Sequence, residues 1–361
     1  MNSKIFKTLI GCSLIHFCIG SVYSTSVLYK FISEITNWDS FLLVSNFSLV
    51  IFILGITASL HQKYLSGLSK DRILFYSSFT WMISQIFIVA SVFISDSIIY
   101  LGMNLILGIS IGLLYVLPVN LIAELNSSRT GFYSGVVISC FGLGSLASAK
   151  IYSLIDYDQL IYFILVCYFI MFIAIKLINS DSIIEDSGEF KRDSNWYLLS
   201  IIYFFNIGIG ISLLSNLVNL SVSQGLILSV AVTLTAVSGL ANTLGRLVYS
   251  FISDYIGKIN TVLLIMTIQF IALILINQFW YESVLVIISV YGGFFALIPG
   301  LMKEIYKDKS KIAYSQILSI WGISGFISPV LFSCLNSNLN LLVFMSLITI
   351  VVTIILKRRM N

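Results

Sequence analysis

Leu240-Ala-Asn-Thr-Leu-Gly-Arg-Leu-Val-Tyr-Ser-Phe-Ile-Ser-Asp-Tyr-Ile-Gly-Lys258 decides the fold, because it sets one fixed charge deep inside an apolar run. Between Leu226 and Ile252 no other residue is charged, and the segment predicts a membrane-spanning helix. Asp254 and Lys258 mark its return to water. Arg246 lies eight residues before Asp254, about 12 Å deeper at ~1.5 Å per residue. An ionisable group at that depth costs at least ~2.5 kcal/mol even on the mildest insertion scale. Such a charge is expected to face a polar pathway or a partner.

The rest of the chain shares this apolar character. Of its 361 residues, 58% are hydrophobic and 10% charged, and the mean hydropathy is +1.00. No soluble fold of this length has a surface for such a composition, so the chain reads as an integral membrane protein. Hydropathy divides it into twelve spans, at roughly 6–28, 41–60, 73–94, 97–122, 130–153, 159–177, 196–219, 226–251, 260–278, 282–301, 312–334 and 339–356. With the N-terminus cytoplasmic, every Lys and Arg falls inside except Arg246, Lys30 in an outer loop and Lys150 near an outer helix end. That asymmetry calls for an even number of spans with both termini cytoplasmic.

The first span follows basic residues, as the apolar core of a signal peptide does. With eleven spans after it and no convincing cleavage site, it reads as a retained helix. Cys12, Cys18, Cys140, Cys167 and Cys334 lie within spans without a CxxC and read as packing residues. Two histidines and loop-confined carboxylates offer no catalytic constellation, so no enzyme, metal or cofactor is expected. No P-loop is present to couple the chain to ATP.

The longest polar interruption, Asn179–Asp193, divides the chain into six spans over 1–178, a cytoplasmic linker over 179–195, and six more over 196–361. The halves resemble each other. Gly112-Leu-Leu-Tyr-Val-Leu-Pro118 parallels Gly293-Phe-Phe-Ala-Leu-Ile-Pro299, Tyr133-Ser134 parallels Tyr314-Ser315, and Phe141-Gly-Leu-Gly144 recurs loosely as Trp321-Gly-Ile-Ser-Gly325. Duplicated six-helix halves predict a rocker-switch secondary transporter with its substrate between the halves near the midplane. Gly142/Gly144 and Gly322/Gly325 read first as small residues that let helices pack closely, which also suits spans that slide.

These residues resemble the major facilitator superfamily, and within it the oxalate/formate antiporter-like and monocarboxylate-transporter-like group. Ser250-Phe-Ile-Ser-Asp254-Tyr-Ile-Gly257-Lys258 is similar to the superfamily's G-x-L-x-D-x-x-G-R turn, and Asn242-Thr-Leu-Gly-Arg246 to the group's Asn-x-x-Gly-Arg. Gly108-Ile-Ser-Ile-Gly-Leu-Leu-Tyr115 with Pro118, Tyr291–Pro299 and Trp321–Pro329 agree as well. The resemblance implies an all-α membrane fold of twelve helices in two pseudo-symmetric six-helix bundles. It also implies that Arg246 binds a substrate carboxylate and that Tyr23, Tyr115 and Tyr291 are pocket aromatics. There are departures. Leu60–Arg72, between spans 2 and 3, lacks the usual Gly and Asp spacing, so that gate is degenerate or built differently. No Lys or Arg lies between Lys311 and Lys357, whereas oxalate exchangers of the group carry a second cation in span 11. Asn242 stands where proton-coupled monocarboxylate carriers have Asp.

The candidate substrate-binding residues are therefore Arg246, Tyr23, Tyr115, Tyr291, Trp321, Asn242 and His16. A guanidinium forks onto a carboxylate, most strongly where water is scarce. All sixteen Asp and Glu fall in loops or at helix ends, leaving Arg246 free for an anionic ligand. The same absence favours anion exchange or uniport over proton symport, with His16 as the one titratable candidate for a proton. Tyrosine hydroxyls could donate to a carboxylate, and Asn242, one turn away, could orient the guanidinium. Asp254, Gly257 and Lys258 are candidate gate residues, while Lys150 is expected to snorkel outward. The function expected is alternating-access transport of small organic anions across the cell membrane, by a monomer in a lipid bilayer and without nucleic acid. A monocarboxylate suits a lone arginine better than oxalate. The rival readings are a carrier of a neutral or amphipathic solute with a structural Arg246, and a non-transporting scaffold or receptor on a degenerate transporter fold.

Overall fold

The computed structural model describes residues 3–125, 130–178, 180, 182–185 and 190–360. Among them, eleven uninterrupted helical runs are long and apolar enough to cross a membrane. The sequence predicts twelve spans, and the difference lies in Trp280–Cys334, a run of 55 residues. It comprises two helices, Trp280–Tyr306 and Ser310–Cys334, separated at Lys307, whose φ is +48°. Twelve crossings result. Spans 1 to 6 are Ser3–Ile19 with its extension Gly20–Val27, Ser40–Leu65, Lys70–Phe93, Ser97–Ala123, Thr130–Tyr152 and Leu160–Ile178. Spans 7 to 12 are Ser194–Ser223, Leu228–Ile256, Lys258–Leu275, Trp280–Tyr306, Ser310–Cys334 and Leu339–Met360.

Local chemistry sets several boundaries. Asp39, Asp96 and Asp193 cap spans 2, 4 and 7, their carboxylates accepting from first-turn amides such as Leu42 N at 2.7 Å and Trp196 N at 2.9 Å. Gly257 turns span 8 into span 9 at φ +82°, a conformation that costs glycine little. Span 1 departs from the prediction of a plain helix: Gly20–Val27 is a 3-10 helix of eight residues, longer than such helices usually run. A short helix not foreseen from hydropathy, Tyr29–Thr36, follows it, with Tyr29 and Ile32 buried and Lys30 and Glu34 exposed.

Spans 1 to 6 pack as one bundle, with span 1 against 4, 5 and 6, and span 4 against 2 and 3. In the other bundle span 7 packs against 8, 11 and 12, and span 10 against 8 and 9. Span 2 on span 11 and span 5 on span 8 are the main seams between them. Both seams run on glycine. A Cβ at Gly55 would collide with the backbone of Gly322, and one at Gly142 with Thr243 Oγ1. Bare backbone there brings the bundles close enough for side chains of one to reach carbonyls of the other.

Candidate functional site

Arg246 is 2% exposed. Its Nε donates to Asn242 Oδ1 at 2.9 Å, one turn earlier on span 8, and its Nη1 donates to the carbonyl of Ile138 at 2.8 Å. Ile138 belongs to span 5, so the guanidinium bridges the two bundles. Thr243 makes the neighbouring bond, Oγ1 to Ser139 O at 3.2 Å. Both reach across where Gly142 leaves span 5 bare. On the other side, Gly245 and Gly292 bring span 8 against span 10 with no room for a Cβ. This sets the guanidinium 5.5 Å from the ring centre of Phe295, within reach of the ring's electron-rich face. Among the described residues no carboxylate forms an ion pair with Arg246.

Around it runs a closed circuit of six aromatic rings. Tyr115 meets Trp321 at 5.0 Å, Trp321 meets Phe295 at 5.0 Å, and Phe295 meets Tyr291 at 5.2 Å. Tyr291 then meets Tyr23 at 6.1 Å, Tyr23 meets Phe141 at 4.8 Å, and Phe141 returns to Tyr115 at 5.8 Å. Three rings come from each bundle. Most neighbours are edge-to-face, the arrangement ring quadrupoles prefer. Tyr23 takes its place from the 3-10 stretch of span 1, where a Cβ at Gly20 would strike the Phe141 carbonyl. His16 joins from outside the circuit, 5.1 Å from Tyr115, its Nδ1 on the Cys12 carbonyl at 3.3 Å.

The structure therefore brings all seven predicted binding residues into one cluster. Phe141, Phe295, Tyr203 and Tyr314 also belong to it and were not singled out from sequence. Phe141 and Phe295 sat inside the repeat motifs, where phenylalanine reads as packing. Several polar atoms of the cluster are buried without a hydrogen-bond partner: Tyr115 Oη, Tyr203 Oη, Tyr314 Oη, Asn242 Nδ2, Trp321 Nε1 and His16 Nε2. Unmet groups of this kind are costly in native interiors, and these six belong to the cluster that holds Arg246. The indole and amide nitrogens can only donate.

The predicted gate residues part company. Gly257 turns the chain, and Lys258 pairs with Glu304 of span 10 at 2.9 Å with its stem over Gly300. Asp254 is exposed and forms no ion pair or hydrogen bond among the described residues, so Lys258 rather than Asp254 ties this turn to its neighbour. The turn between spans 2 and 3 is built differently from the superfamily pattern. Lys70, 2% exposed, grips both carboxylate oxygens of Glu124 at 2.5 and 2.6 Å. Beside them Asn120 Nδ2 bonds His61 Nε2 at 3.1 Å. Lys150 is exposed at its helix end, as expected of a snorkelling lysine.

No protein-family model matches the chain. The MFS-type transporter YhjX of Escherichia coli is 23% identical over 335 residues, covering 83% of this chain and 80% of that one. A D-xylose–proton symporter superposes with a TM-score of 0.70 at 14% identity, over 98% of this chain and 96% of its own. The major facilitator superfamily transporter FucP, in its outward conformation, gives 0.69 at 15% identity over all of both chains. The human organic anion transporter MFSD10 gives 0.70 at 13% identity, over 99% of this chain and all of its own. The chain has the major facilitator fold. With its curated relative, that fold is the fold of a multi-pass membrane transporter and not of an enzyme. Within the major facilitator architecture, Arg246 and the aromatic circuit occupy the boundary between the two bundles.

Proposed function

We propose that this transporter carries small organic anions, monocarboxylates in particular, by alternating access as an exchanger or uniporter in the cell membrane. Its termini and the linker 179–195 are cytoplasmic, and residues 1–178 and 196–361 are the two bundles that rock about the site. One observation carries the reading: a buried arginine without an acidic partner stands among buried donors, Asn242 Nδ2 and Trp321 Nε1, that also lack partners. A carboxylate answers both needs at once, forking onto the guanidinium and accepting from the flanking nitrogens. With no second cation beside Arg246 among the described residues, a dicarboxylate would bury one charge uncompensated.

The same geometry couples binding to movement. The Ile138 carbonyl holds Nη1. A carboxylate is the stronger acceptor, by roughly a factor of two for charge-assisted bonds, and it competes for the same nitrogen. Binding thus loosens span 8 from span 5. Water is excluded by rings that both bundles contribute.

The test is uptake and counterflow in proteoliposomes with labelled formate, lactate, pyruvate and oxalate. Saturable carboxylate flux that Arg246→Gln abolishes, with folding intact, is the expected result. Normal carboxylate flux in that variant overturns the reading. A second reading has an observation of its own, since a guanidinium bonded to both Asn242 and Ile138 can serve as a tie between bundles for a carrier of neutral solutes. That reading expects Arg246→Gln to lower stability while transport of a neutral solute persists. Absence of any flux would favour a non-transporting role. A pH gradient applied to His16→Asn separates proton coupling from exchange.

A further inference from the structure

Ser180, Ser182, Ile183 and Ile184 of the linker pair with the turn between spans 2 and 3 and the start of span 3. Gly67 N donates to Ile184 O at 2.9 Å, Ile184 N to Leu68 O at 2.9 Å, and Lys70 N to Ser182 O at 3.1 Å. Ser69 lies opposite Ile183 in this antiparallel bridge. Ser180 N adds a bond to the Asp71 carboxylate at 2.8 Å. Ile184 is buried, and with Gln62 and Asn120 it closes around the Lys70–Glu124 pair. The linker thereby shields an ion pair whose lysine is almost wholly out of water.

A few residues on, the same segment holds the other bundle. Glu185 pairs with Lys311 of span 11 at 3.6 Å, and Arg192 Nε donates to Gln316 Oε1 at 2.8 Å. Tyr306 of span 10 donates to Asp193 at 2.6 Å, and its ring stands 5.1 Å from Phe190. Close by, Ser315 of span 11 donates to the Ser59 carbonyl of span 2 at 3.1 Å. All of these contacts lie at the face rich in Lys and Arg.

We infer that the linker is a latch: it straps the two bundles together at the basic face, and its residues 182–184 must leave the turn between spans 2 and 3 before the pathway opens to that side. The inference rests on the alternating-access reading above. A rotation that separates span 2 from span 11 cannot leave the strap seated on both, because its two ends are anchored on opposite bundles. The backbone bridge at 67–70 is the sequence-independent part of the grip. Ile184 and the Glu185–Lys311 pair supply its side-chain part, and release admits water to Lys70 and Glu124.

The test is a reversible cross-link. Ser69 and Ile183 are directly opposed, and bridged strand pairs lie about 4.5–5.5 Å apart at Cα, within the span of a disulfide. In Ser69→Cys/Ile183→Cys, oxidation should cut transport at least tenfold and reduction restore it, with each single variant unaffected. A second readout needs no substrate. In the same background, Ser315→Cys should react with N-ethylmaleimide from the basic face when the bridge is reduced and be protected at least tenfold when it is oxidised. Ile184→Asp, without the engineered disulfide, should raise that labelling above the level of the Ser315→Cys protein with Ile184 intact. Full transport and full labelling in the quantitatively cross-linked protein overturn the latch. If the parent moves no carboxylate, the carboxylate reading fails and the labelling alone decides the latch.

Discussion

The hydroxyls of Tyr23 and Tyr291 lie 2.5 Å apart across the boundary between the bundles. Each is the other's hydrogen-bond partner inside a buried aromatic cluster, so the bond exists only while the bundles are together at this level. Tyr23→Phe and Tyr291→Phe should each lower thermal stability in detergent by about 1 kcal/mol. The double variant should lose little more than either single one, because the first substitution already removes the shared bond. Fully additive losses would show that the two hydroxyls act apart.

Arg246→Lys separates charge from geometry. Lysine keeps the positive charge but has no fork, and its ammonium cannot hold Asn242, Ile138 and a carboxylate in the planar arrangement of a guanidinium. Carboxylate flux should fall at least tenfold, on the order of 1.4 kcal/mol or more, with most of the loss in apparent affinity. Kinetics across a substrate series measures this, and an unchanged KM would show that charge alone suffices.

Asn242→Asp gives Arg246 the internal partner it lacks. An aspartate one turn away would occupy the Nε edge and compete with substrate, so KM for carboxylates should rise at neutral pH. Protonation of that aspartate removes the competitor. Affinity should therefore recover as the pH falls, the opposite of the trend expected if the arginine merely ties the bundles. Initial-rate measurements over a pH series distinguish the two.

Trp321→Phe keeps an aromatic ring in the circuit and deletes a buried N–H that has no partner. Removing an unmet donor relieves its desolvation cost, so stability should hold or rise by up to about 1 kcal/mol while carboxylate affinity falls. Thermal unfolding and uptake read the two effects separately. A loss of stability with unchanged affinity would make Trp321 a packing residue only.

The architecture was legible because a bilayer leaves few choices. A polar backbone in hydrocarbon must close its own hydrogen bonds, so an apolar stretch of about 20 residues is already a helix. Span 8 follows directly from Leu226–Ile252, and the misfit of Arg246 pointed to the aromatic cluster proposed as the site. The 3-10 course of Gly20–Val27 was not legible, since its composition suits an α-helix equally well and only its seat against span 5 distinguishes them. Phe141 and Phe295 were hidden for a related reason: a phenylalanine that faces lipid and one that packs in the ring circuit between the bundles look alike in sequence. Asp254 shows the reverse case, a motif residue that is present in the chain yet unengaged in this conformation.

By itself, then, the sequence determined the number of crossings, the duplicated halves and the anomalous cation, since each follows from hydrophobicity, charge and period along the chain. Only the tertiary structure decided what surrounds that cation. Ile138 O is a backbone atom with no sequence signal, and it reaches Arg246 because Gly142 lets two helices of different bundles touch. The linker likewise reads as a polar tether, and its pairing with residues 67–70 exists only once span 6 returns beside the turn between spans 2 and 3. Contacts between residues far apart in the chain depend on where the helices come to rest, and packing rather than composition settles that.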